Sequence, residues 1–165
     1  MSMRGNNDGR PGMTPALNAP VVDMFNRPVV GRKARRSAAM ADRVRSGSVG
    51  EFPIVLFAHL RGDHGPFPKK WKWGRFTIGE GRPTWAGLAL TKDKPPITIP
   101  KDAKIAEFPR RMHRAELSAF SPNPRKTIVV HLETSAGHIF IGVPRHDCDL
   151  VLLALEQRPG PRAVS

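Results

Sequence analysis

Between Lys126 and Val143 large apolar side chains recur at every second position of two short segments. Ile128, Val130 and Leu132 share one side, Ile139, Ile141 and Val143 share one side after them, and Ser135–Ala136–Gly137 lies between. Successive side chains of a strand point to opposite faces, so this spacing predicts two antiparallel strands joined by a short glycine turn. Pro144 follows at a position where a helix can begin without losing a hydrogen bond, and Asp147 and Asp149 complement the dipole of a first turn. Leu150, Val151, Leu153, Ala154 and Leu155 then form an apolar stripe, which Arg158 and Pro159–Gly160 should end. A hairpin with one apolar face and a helix to cover it must therefore close this chain's core.

Upstream the same logic gives shorter strands. Phe52–Leu60 is rich in β-branched and aromatic residues and stops at the turn RGDHGPFP. Trp71–Ile78 alternates bulky apolar and cationic residues, with a change of phase at Gly74 that predicts a bulge. Both tryptophans there fall on one side, which predicts Trp in the core and Lys in water. After the turn GEGRP, Trp85–Leu90 completes a hairpin, with Ala86, Leu88 and Leu90 on one side. Pro95, Pro96 and Pro100 confine a strand at 97–99 to an edge. Arg114–Phe120 alternates again, with Ala115, Leu117 and Ala119 on one side, and predicts one more strand. The 17 prolines and 15 glycines suit short strands and turns and argue against a helical bundle.

Residues 1–49 are different in kind. They carry few large apolar groups, too few to offset the entropy of ordering, and are expected to be a disordered basic arm. Lys33–Arg45 holds good helix formers and is open to two readings, a helix formed on contact with a surface or a solvated linker, since Ala34, Ala38, Ala41 and Val44 make only a thin apolar face. The folded domain is expected at 50–158 and a frayed tail at 159–165.

The stretch KTIVVHLETSAGHIFIGVPRHDCDLVLLALEQ resembles the last two strands and capping helix of pleckstrin-homology and GRAM-like domains of bacterial, especially actinobacterial, proteins. Gly50 through Trp85, with Gly-Glu-Phe, Leu60–Arg61, Trp71–Lys72–Trp73–Gly74 and Trp85, is similar to a small membrane-anchored actinobacterial family of unknown function. The resemblance covers roughly residues 50–157, about the size of one domain. It implies a mainly β fold with one helix: a PH-like antiparallel β-sandwich or partly open barrel, capped by the C-terminal helix. The chain departs from the membrane-anchored family in having no apolar run long enough to span a bilayer, and its GEGRP turn lacks a lysine-arginine phosphoinositide motif.

Charge bounds the choice of partner. Lys and Arg outnumber Asp and Glu by 27 to 14, a net charge of +13, which points to a polyanion. The expected partner is an anionic lipid surface or an acidic protein; the alternative is nucleic acid, held by the arm and the Trp/Lys strand. The candidate anion-binding residues are Arg32, Lys33, Arg35 and Arg36 in the arm, Lys69, Lys70, Lys72 and Arg75 around the tryptophans, and Arg110, Arg111 and Arg114. With no signal-peptide pattern, the expected location is cytoplasmic, peripheral on the inner face of the membrane.

Catalytic readings find little support. Cys148 is the only cysteine, and on a helix it would diverge from His146. The six histidines show no i, i+4 pair, and although His131 and His138 can meet across the hairpin, exposed histidines are usually solvated rather than ligating. Gly79–Arg82 lacks the Lys-Ser/Thr of a phosphate loop. A non-enzymatic binding module without metal or cofactor is the expectation.

Overall fold

The computed structural model describes residues 31–49, 52–88, 94–117 and 121–156. Helix α1 (Arg32–Arg45) precedes a meander of β1 (Ile54–Gly62), β2 (Lys72–Ile78), β3 (Thr84–Gly87) and β4 (Ile97–Thr98). Short β5 (Lys104–Ile105) and β6 (Arg110–Arg111) lead into β7 (Thr127–Thr134), β8 (Gly137–Pro144) and helix α2 (Cys148–Glu156). All pairs are antiparallel, in the order β4-β3-β2-β1-β8-β7-β5, with β6 also on β7. The eight strands curl into a half-barrel, so the fold is mainly β with a C-terminal helix.

The hairpin is where the alternation places it. β7 and β8 pair without interruption from Thr127↔Pro144 to Thr134↔Gly137. Ile128, Val130, Leu132, Ile139, Ile141 and Val143 all turn inward and are at most 5% exposed. Alternate residues of β1 (Ile54, Leu56, Ala58, Leu60) join them, and Cys148, Leu150, Val151, Ala154 and Leu155 of α2 fill the concave side. Each fully buried Leu, Ile or Val contributes about 1.5–3 kcal/mol, which makes this layer the main source of stability. Arg82, in the β2–β3 turn, fastens the far end of α2: its guanidinium donates to the carbonyls of Leu155 (2.9 Å) and Pro100 (2.6 Å).

Several expectations need correction. Residues 32–45 form a helix packed on the domain, whereas residues 1–30 lie outside the described residues. Ser37, Ala41 and Val44, spaced i, i+4, i+7, are buried against α2 and the turn before it. A stripe this thin suffices because small side chains let the helices approach, and because Ser37 Oγ donates to Asp147 Oδ1 at 2.6 Å. Gly47, at φ 72°, ends the helix; its N–H returns to Val44 and that of Ser48 to Arg43.

Arg114–Leu117, the described part of the expected strand, is not a strand. Arg114–Glu116 forms a single 3-10 turn, Leu117 is exposed, and residues 118–120 lie outside the described ones. The Glu116 side chain accepts from Arg61, Arg110 and the His113 amide, and that closes the turn instead. β5 and β6, two residues each, are too short to show a period and went unread.

The Trp71–Ile78 region also differs. Pairing on both sides of Gly74 is continuous (Ala58↔Gly74, Gly74↔Gly87), so there is no bulge. Glycine is needed there for a close approach: a Cβ would stand 2.6 Å from the indole of Trp85. That indole crosses the strand and donates to the Ala58 carbonyl at 3.0 Å, so Trp85 takes the inward place while Ala86 and Leu88 turn outward. Leu90 lies outside the described residues. Trp71 and Trp73 share the outer side of the sheet; Trp71 is buried there with Met112, Val129 and Phe140, and Trp73 is 52% exposed rather than in the core. The strand at Ile97–Thr98 is an edge, as its prolines require.

Gly74→Ala should destabilise the fold by roughly 1–3 kcal/mol, the usual cost of overpacking. Gly79→Ala, with open space around its Cβ, should leave the urea midpoint almost unchanged.

Candidate anion-binding cleft

β1 joins β8 only along His59↔Gly142 to Gly62↔Ile139, although it pairs with β2 from Ile54 to Leu60. Two residues further along the β8 register, Phe57 would stand opposite Pro144, which has no N–H to offer. The chain turns away there through Arg145–Asp147, and a seam opens on the outer side of the sheet. A cavity of about 570 Å³ occupies it.

Gly142, without a side chain, lies at the seam; Phe57, His59 and Trp73 line the cavity from β1 and β2. Lys33 reaches it from α1, Lys126 from the residue before β7, and Arg145 and His146 from the turn after β8. Among the described residues no carboxylate lines it. Among the described residues Lys33, Lys126 and Arg145 have no ion-pair partner, and Arg145 Nη2 is buried without any hydrogen bond. Asp147, next in sequence, is engaged by Ser37 and lies 3.5 Å from His146 Nε2. Burial holds the His59 imidazole below its usual pKa, which favours its neutral form, and Lys33, Lys126 and Arg145 are the Lys and Arg side chains of the cleft.

An apolar row flanks the cleft. The rings of Phe57 and Trp73 stand 5.2 Å apart, His59 stacks on Trp73 at 6.4 Å, and Phe57 and Trp73 are about half exposed. Val55 extends the row on the same side of β1, and Phe52, also exposed, precedes the strand. Arg43 of α1 donates to the Phe52 carbonyl, and helical spacing puts Lys33, Arg36 and Arg43 on one flank of that helix. A cationic edge therefore runs beside exposed aromatic and aliphatic side chains.

The candidate residues read from sequence do not gather in one place. Lys33 lines the cleft; Arg32, Arg35 and Arg36 are exposed on α1, and Arg75 is exposed across from Phe57. Lys69 and Lys70 are exposed before β2, and Lys72 lines a second cavity of about 420 Å³ on the far side of Trp73. Arg111 and Arg114 are exposed near β6. Arg110 is committed elsewhere: it pairs with Glu107 at 3.0 Å and Glu116 at 2.9 Å. Arg61 donates to the same Glu116 and lies over Phe140 at 4.2 Å, so this cluster braces the outer face.

Phe57, His59, Lys126, Arg145 and His146 were missed. Phe57 and His59 alternate with Leu56, Ala58 and Leu60, a signal hidden by the apolarity of the whole run. Arg145 and His146 read only as a helix start. The Cys148 thiol faces the core, and burial pushes its pKa up to about 12, so it stays protonated. His131 and His138 do meet across the hairpin, at 3.0 Å, but among the described residues no group of three or more His, Cys, Asp or Glu is placed to hold a metal ion. No family model, curated protein or solved structure matches this chain.

Hydrogen bonds from Arg110 hold the Glu116 carboxyl down to about 2 against its ordinary 4.5. The stability this contributes is fully present above pH 4.5 and is lost as the pH falls towards 2. Glu116→Gln should lower the urea midpoint near neutral pH and flatten the acid limb of the stability profile in that window, which unfolding curves across the pH range will test.

Proposed function

We propose that this chain is a non-enzymatic binding module, PH-like in its order of strands and closing helix, that docks its cleft face on an anionic membrane surface. The observation that carries this reading is the exposed apolar group Val55, Phe57 and Trp73, with exposed Phe52 just before β1, beside Lys33, Lys126 and Arg145, which have no ion-pair partner among the described residues. Apolar and aromatic side chains enter the headgroup region while cations meet anionic lipid, and each Lys or Arg near such a surface adds about 1 kcal/mol. Among the described residues no helix is long and apolar enough to cross a membrane, so contact by this face is the mode the reading uses. On this reading the protein works peripherally at the inner face of the membrane.

An acidic protein would meet the same charges, but it gives no comparable reason for these exposed apolar side chains. Nucleic acid is favoured by one observation, the half-exposed Trp73 ring, on which a base can stack.

The test is co-sedimentation of the full chain with phosphatidylcholine vesicles, with and without about a third phosphatidylserine. Binding should need the anionic lipid, weaken with salt, and fall about thirtyfold in Arg32→Ala/Arg36→Ala, the equivalent of ~2 kcal/mol. Trp73→Ser should weaken it further. Equal sedimentation with both vesicles would sink the membrane reading, and salt-sensitive retardation of single-stranded DNA in its place would favour the nucleic-acid one.

A further inference from the structure

We infer that the cleft at the β1–β8 seam takes a phosphomonoester, with Lys33, Lys126 and Arg145 around the phosphate and Phe57 and Trp73 against the group that carries it. This deepens the membrane reading and rests on it for where the ligand is met. The three cations come from three separate parts of the fold, α1, the loop before β7 and the turn after β8, yet they converge on one cavity. Like charges brought together without a carboxylate repel one another, and no ion pair within the described residues offsets that. The arrangement is relieved when an anion of high charge enters.

Charge density chooses the anion. A phosphomonoester near neutral pH carries about −1.5 to −2 charges and three strong acceptor oxygens, whereas a carboxylate or a phosphodiester carries a single charge. Three cationic donors match the former. Arg145 brings a planar fork suited to two phosphate oxygens, and the lysines act as point charges. A cavity of about 570 Å³ lies within the usual range for small ligands and exceeds what a bare phosphate fills. Phe57 and Trp73 give the remainder an apolar wall.

The phosphate can belong to a lipid headgroup or to a free metabolite, and one experiment separates the two. The full chain is titrated with vesicles containing phosphatidic acid, with vesicles containing phosphatidylserine at matched surface charge, and, by calorimetry, with soluble sn-glycerol 3-phosphate. The cleft predicts a preference of about tenfold or more for phosphatidic acid, because charge-assisted bonds to a dianion are stronger. Lys126→Ala, a change at an exposed residue that leaves the core intact, should bring the ratio of the two affinities close to one, and Arg145→Gln should do the same. Glycerol phosphate binding that Lys126→Ala abolishes supports the cleft even without vesicle binding, and in that case the membrane reading alone fails. Equal binding to the two vesicle types with no glycerol phosphate binding overturns the cleft assignment and leaves the membrane reading standing. A preference unchanged by Lys126→Ala and Arg145→Gln also overturns it.

Discussion

The end of β8 at Pro144 decides both the core and the cleft. A proline nitrogen cannot continue a ladder, so the β1–β8 pairing stops at His59↔Gly142 while β1 runs on beside β2 to Ile54. Two consequences come from that one stop. The chain after it swings to the concave side, where α2 covers the apolar faces of the sheet. On the convex side the two strands part, and the residues around the gap, Phe57, Lys126 and Arg145, are left facing a cavity instead of each other.

α1 completes the site from outside the sheet. It rests on α2 through small side chains and is tied by Ser37 to Asp147, in the same turn that carries Arg145 and His146. This contact fixes how Lys33 approaches the cleft. It also fixes the position of the Asp147 carboxylate, 3.5 Å from His146 Nε2. The basic segment thus belongs to the folded domain, and its charge is presented in a definite place beside the exposed row on β1.

How much of this could be read beforehand varies with the length of each element. β7, β8 and α2 were legible because each spans eight or nine residues and shows its own period. The edge strand was legible because its prolines confine it. α1 was misjudged because its buried stripe is Ser, Ala and Val, which as a sequence looks like a linker and becomes a packing face only against a partner 110 positions away. Gly74 looked like a bulge because the indole that requires it comes from another strand. The cleft was the least legible part: Lys33, Phe57, Lys126 and Arg145 are far apart in sequence and meet only through the register of β1 against β8. Arg110 shows the opposite error, since one member of a basic cluster in sequence is committed to internal ion pairs with Glu107 and Glu116.

Amide hydrogen exchange of the full chain without ligand tests the central claim most directly, that α1 is part of the fold and holds the cationic edge in place. The account predicts slow exchange from Ala38 to Arg45, comparable with that in α2, and its selective loss in Ser37→Asp, which sets a second carboxylate against Asp147. Exchange across Ala38–Arg45 at the rate of an unstructured chain, with α2 still protected, would contradict it.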